Sequence, residues 1–169
     1  MRELNVPTII KERISFIEAS VTNAGFSRLV VAVSGGIDSA TATALAAAAL
    51  GPEKVFALLL PYEDWHAAAT RQARQQLRHI KIPTGNIFEV DITPIVEAFL
   101  QSVNLRLRTV ENNTAEADLD TVRAGNIMAR VRMVLLFDYA RKLNVLSGSH
   151  SLCLKKLSVI RKGKSPSEG

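Results

Sequence analysis

Apolar positions along the chain recur in two rhythms. Ile9, Ile10, Ile14, Ile17 and Val21 follow Pro7 at helical spacing, and Gly25 closes the run as a glycine just past a helix end. Leu29 to Val33 is a short, β-branched apolar run, the form taken by a parallel strand buried on both faces. A loop at 34–39 and a helix to Leu50 follow, stopped by Gly51-Pro52. Val55 to Leu60 reads as a second strand ended by Pro61. Asp64 is placed to cap a helix to about Ile80, which Pro83-Thr84-Gly85 breaks. Ile87 to Ile92 predicts a third strand, with Thr93 as N-cap and Pro94 at the first position of the next helix. Residues 104–118 are polar and predict a loop or lid. Asp120 then caps a helix from Thr121 to Lys142, and Leu143 to Leu146 forms a fourth strand.

Strands alternating with helices at this spacing predict a parallel sheet covered on both faces, a Rossmann-like α/β fold. The 169 residues fit one domain over 1–150, with an irregular basic tail at 151–169. No internal repeat is visible, and no apolar run approaches the ~20 residues that cross a bilayer. Met1-Arg2-Glu3-Leu4-Asn5 has no signal-peptide character, and the single cysteine, Cys153, suits a reducing compartment, so a cytoplasmic protein is expected. The sequon Asn112-Asn113-Thr114 then has no consequence. His66, His79 and His150 show no metal-ligand spacing. Of the net charge of +5, Lys155, Lys156, Arg161, Lys162 and Lys164 against Glu168 place +4 in the last fifteen residues. The body carries the remaining +1 without aromatic interleaving, so neither nucleic acid nor a membrane is an expected partner.

The chemistry gathers at Ser34-Gly35-Gly36-Ile37-Asp38-Ser39. A buried strand ends, two glycines turn the chain, and a helix begins, which brings unpaired N–H groups and the positive end of the helix dipole to one point. Glycines let the backbone approach phosphate oxygens, and Ser34 and Ser39 add hydroxyls. Asp38 would repel phosphates unless a cation lay between, so its natural role is to ligate Mg²⁺. The loop lacks the Gly-Lys-Ser/Thr of a Walker A motif and the three glycines of the dinucleotide fingerprint. A plainer reading has the glycines serve only a tight turn and Asp38 only cap the helix. Six residues of this type directly after an apolar strand favour the phosphate site.

This segment resembles the signature of the PP-loop ATP pyrophosphatases, which cleave ATP between the α and β phosphates. A second segment, Gly125-Asn126-Ile127-Met128-Ala129-Arg130-Val131-Arg132-Met133, is similar to a stretch of the ammonia-dependent NAD synthetases. Asn126 and Arg130 share a helix face and suit an anionic or amide-bearing ligand, while Arg132 is expected to project elsewhere. A solvated helix carrying two arginines is the plainer alternative for this segment. The resemblance runs from about Pro7 to Ser149. It implies an adenine nucleotide alpha hydrolase-like sheet and ATP at Ser34, Gly35, Gly36, Ile37, Asp38, Ser39 and Ser149. It further implies Mg²⁺ on Asp38 and nicotinic acid adenine dinucleotide (deamido-NAD) at Arg130 and Asn126. The implied reaction adenylates the dinucleotide's carboxylate and lets ammonia displace AMP, giving NAD with no protein nucleophile. A homodimer is implied, and with no amidase domain before residue 1, free ammonia rather than glutamine is the expected nitrogen source.

The resemblance fades after Gly148-Ser149. Where the family carries a Mg²⁺-binding Glu, this chain has Leu154, and the family's further C-terminal region has no counterpart. A C-terminally truncated chain with little or no turnover is therefore expected. A catalytically inactive nucleotide-binding remnant or regulatory subunit, or another PP-loop adenylating enzyme, remains as an alternative.

Overall fold

The computed structural model describes residues 5–63, 67–103 and 115–148, the backbone alone over 115–119. Leu29–Ala32 (β1), Val55–Leu59 (β2), Ile87–Glu89 (β3) and Leu146–Gly148 (β4) form one parallel sheet in the order β3-β2-β1-β4. Val30 lies opposite Phe56 on one side and Ser147 on the other. Each strand is shorter than its apolar run or shifted along it, yet pairing continues past the strand ends: Val33 N donates to Leu58 O and Ile92 N to Pro61 O, each at 2.9 Å.

The helices are Val6–Asn23 (α1), Ile37–Leu50 (α2), Ala67–His79 (α3), Thr93–Ser102 (α4) and Ala115–Leu143 (α5). Period-two alternation on the strands sorts the core into two layers. Leu29, Val31, Val55, Ala57 and Leu59 pack with α1, α2 and α3 on one face. Val30, Phe56, Leu58 and Leu60 pack with α4 and α5 on the other. The alanines of α2 serve close packing: Ala42, Ala46 and Ala47 are buried where α1 crosses. The inward stripe of α1 is Arg13, Ile17 and Val21, and Arg13 is 3% exposed with no partner among the described residues for any of its three guanidinium nitrogens.

Three local expectations need correction. Asp120 does not cap α5; the helix begins five residues earlier at Ala115, and Asp120 instead pairs with Arg123 one turn on. Residues 115–118 are thus helical rather than loop, while 104–114 lie outside the described residues. The fourth strand starts at Leu146 because α5 runs on through Leu143, whose carbonyl accepts from Arg28 Nη2 at 3.2 Å. Thr93 is the first helical residue of α4, and Ile92 occupies the cap. The Thr93 hydroxyl donates to Asp91 Oδ1 at 2.6 Å and accepts from Glu63 N at 2.8 Å, tying the end of β2 to α4. Those bonds from Thr93 hold the Asp91 carboxyl below its ordinary pKa. The proposed capping by Asp64 lies outside the described residues. Gly25, at φ +79°, follows α1 as expected.

Candidate functional site

The chain leaves β1 outward through β2 and β3, then returns to lay β4 on the other side of β1. That reversal makes the carboxyl end of β1 a topological switch point, where open α/β sheets bind their ligands. Residues 34–36 sit there.

Gly35 adopts φ +86°, and a Cβ at this position would collide with the backbone carbonyl of Ala69 in the first turn of α3. Only glycine fits so close an approach with a left-handed backbone. Gln76, two turns along α3, donates its Nε2 to Gly35 O at 3.0 Å and so braces the loop from below. Gly36 is exposed and caps α2 without any side-chain bond, and its nearest neighbour for an added Cβ is Ser34 Oγ at 3.6 Å. The first turn of α2, Ile37, Asp38 and Ser39, leaves its N–H groups without intrahelical acceptors.

The serines divide. Ser39 is 1% exposed; its hydroxyl donates to Gly36 O at 2.9 Å and accepts from Ser34 N at 3.2 Å. It is an internal strut. Ser34 is exposed, with its Oγ 3.1 Å from that of Ser39. Ile37 is 80% exposed beside the loop, and Asp38 is exposed in the first turn of α2. Among the described residues no group of three or more His, Cys, Asp or Glu side chains comes together. Ser149 lies outside the described residues.

A cavity of about 280 Å³ opens beside Ser34, walled by Ala32, Val33, Leu58, Leu59, Leu60, Pro61 and Thr70. Among the described residues its one charged lining residue is Arg132. Arg132, expected to project away from Asn126 and Arg130, does so and lines the cavity beside Ser34. Arg132 is half-buried and its Nε donates to Leu60 O at 3.2 Å, while burial pulls its pKa below the ordinary arginine range. A signal for it existed: Met128, Arg132, Leu135 and Tyr139 recur at i, i+4, i+7 and i+11, a half-buried stripe on α5 interrupted by one cation. Gln76 had no comparable signal.

Asn126 and Arg130 do share a face, as their spacing requires, and Arg130 Nη1 donates to the Asn126 carbonyl at 3.0 Å. That face is not the loop's. Both residues line an apolar groove between α4 and α5 with Ile95, Phe99, Val103 and Val134. A larger open cleft of about 890 Å³ adjoins the loop cavity at Pro61 and Thr70. Its Arg74 and Glu89 already satisfy each other, with Arg74 Nε 3.1 Å from Glu89 Oε2.

The NAD synthase family matches residues 9–152. The chain is 33% identical over 144 residues to the NH3-dependent NAD+ synthetase of Fusobacterium nucleatum, covering 85% of this chain and 50% of that protein. It is 32% identical over 146 residues to the NH3-dependent NAD+ synthetase of Thermococcus sibiricus, covering 86% of this chain and 51% of that one. Among solved structures, the NH3-dependent NAD synthetase of Campylobacter jejuni superposes with a TM-score of 0.70 at 31% identity, covering 86% of this chain and 56% of that chain. The NMN synthetase of Francisella tularensis gives the same TM-score at 26% identity, over 86% and 54%. The chain spans about half the length of the curated relatives it matches.

Proposed function

Because this chain belongs to the NAD synthase family, we propose that it acts in NAD biosynthesis, binding ATP at the Ser34–Ser39 loop for the amidation of deamido-NAD by ammonia, with AMP and pyrophosphate as products. The observation that carries this reading is the loop itself. Gly35 is wedged on α3, Gly36 stands open, and the free N–H groups of the first turn of α2 meet at a switch point beside an apolar-walled cavity. Pyrophosphate oxygens accept from those N–H groups, and the cavity walls suit a nucleoside.

Mg²⁺ fits this donor set, since it commonly takes one or two protein carboxylates and completes its shell with phosphate oxygens and water. Asp38 supplies one such carboxylate at the loop. Bound there, the ion would offset charge on the departing pyrophosphate. The chain's own contribution is alignment: loop N–H groups hold the leaving group, and Asn126 with Arg130 hold the dinucleotide. In a single chain those two residues face the groove between α4 and α5, away from the loop. Ile95, Phe99, Val103 and Val134 lie exposed along that groove, which supports a homodimer with the dinucleotide near its seam. The reading places the protein in the cytoplasm with ATP, deamido-NAD and ammonia as its partners.

The test incubates the full chain with Mg²⁺, ATP, ammonia and deamido-NAD, following AMP and NAD together. With Leu154 in place of the family's Mg²⁺-binding Glu, turnover should be slow, but AMP and NAD should form in equal amounts and only when all substrates are present. ATP binding without any AMP would leave a nucleotide-binding protein and end the enzymatic reading. No ATP binding would end both.

A further inference from the structure

Arg132 leaves α5 about 200° around the axis from Arg130. The two therefore serve opposite sides of the helix: Arg130 lines the groove with α4, and Arg132 lines the cavity beside Ser34. The Nε bond to Leu60 O fixes the guanidinium plane at the end of β2. Its terminal amino groups have no hydrogen-bond partner among the described residues. Ala32, Val33, Leu58, Leu59 and Leu60 give this cation aliphatic walls, with Ser34 and Thr70 the polar lining, and no anion among the described residues balances it. A charge kept in such a place calls for a partner, and a planar fork suits two oxygens of one phosphoryl group.

We infer that Arg132 binds the α-phosphoryl group of the nucleotide and keeps it after pyrophosphate has left. This rests on the reading of the Ser34–Ser39 loop as an ATP site. With β and γ phosphates on the loop N–H groups, the phosphoryl group next to the nucleoside is the one that reaches the Arg132 side of the cavity. In the first step an oxygen of the dinucleotide's carboxylate bonds to the α-phosphorus. The bond from that phosphorus to the α–β bridging oxygen breaks, and pyrophosphate leaves with the electron pair. In the second step ammonia adds to the carbonyl carbon, AMP leaves with the electrons of the carbon–oxygen bond, and ammonia's surplus proton passes to solvent. The non-bridging oxygens of the α-phosphoryl group carry charge throughout both steps, and Arg132 faces them in each.

Calorimetric titration of the full chain and of the variants Arg132→Gln and Arg132→Lys with ATP, AMP, inorganic pyrophosphate and adenosine tests this. Arg132→Gln should weaken ATP and AMP alike by roughly 10- to 100-fold, the range of a charge-assisted hydrogen bond. Pyrophosphate and adenosine should stay within about twofold, and Arg132→Lys should recover part of the loss. Pyrophosphate weakened as much as ATP would assign Arg132 to the leaving group and overturn the inference. Adenosine lost together with AMP, or a lowered melting temperature in both variants, would reduce Arg132 to a prop for Leu60. Wild-type binding with Arg132→Gln unchanged overturns this inference alone. A wild-type chain that binds none of the four ligands overturns the loop reading and the inference with it.

Discussion

Gly35 and Gly36 are neighbours with different obligations. At Gly35 an alanine meets both a left-handed backbone and the Ala69 carbonyl. Gly35→Ala should therefore cost at least about 1–2 kcal/mol of stability by urea unfolding. Gly36→Ala has an ordinary φ of −75° and room for a methyl group, so its folding should change by no more than about 0.5 kcal/mol. Its ATP affinity should nevertheless fall, because the methyl group would occupy the side from which phosphate approaches. Equal effects of the two substitutions on stability would contradict this account. Asp38→Ala should weaken ATP only when Mg²⁺ is present. Arg130→Ala should weaken deamido-NAD by about 1.5–3 kcal/mol and spare ATP, since its groove lies across α5 from the loop. Losses shared by both ligands would place Arg130 in the ATP site instead.

At the scale of elements, α1 and the end of β2 each carry a polar group in an apolar setting. Arg13 sits in the inward stripe of α1 with no partner for its guanidinium among the described residues. Such a group costs about 1–3 kcal/mol or more, so Arg13→Met, which keeps the length and loses the charge, should raise the urea midpoint. A lowered midpoint would mean that the guanidinium finds a partner in solution. Tyr62, just past β2, is 1% exposed and donates to Glu97 Oε1 of α4 at 2.6 Å. Burial first, and then the bond and charge of Glu97, push its phenol above the ordinary 10.0. A raised folded pKa means that the unfolded chain ionises first. The contribution of Tyr62 is complete below pH 10 and is lost as pH climbs through the folded value. Wild-type stability should fall above pH 10, and Tyr62→Phe should flatten that fall.

For the molecule as a whole, the two faces of the sheet are covered unequally. Both carry a helix layer, but the outer side of α4 and α5 leaves Phe99, Val134 and Phe137 more than half exposed. A stripe of that kind on a small chain is expected to be covered in solution. Under the proposed self-association, sedimentation should show a concentration-dependent dimer. Val134→Asp should shift it toward monomer and weaken deamido-NAD, for which Asn126 and Arg130 in the same groove are the proposed ligands. Dissociation with dinucleotide affinity intact would separate the interface from the substrate site.

The order of strands and helices and the loop between β1 and α2 were legible in the chain, because each depends on near neighbours. Period-two runs, a glycine pair and a proline stop act within a few residues. Helix starts were less legible. Asp120 and Thr93 are residue types that cap helices, yet α5 extends upstream of one, and the other spends its hydroxyl between Asp91 and Glu63. Those partners come from elsewhere in the fold. The same limit governed the arginines: spacing fixes the angle between Arg130 and Arg132 but not which of them turns to the sheet. The packing of α5 against β1 and the bond to Leu60, seventy-two residues away in the chain, decided that. Local rhythm determined the elements and the glycine loop after β1. Only the tertiary structure decided which cation stands beside it, because that depends on contacts between residues far apart in sequence.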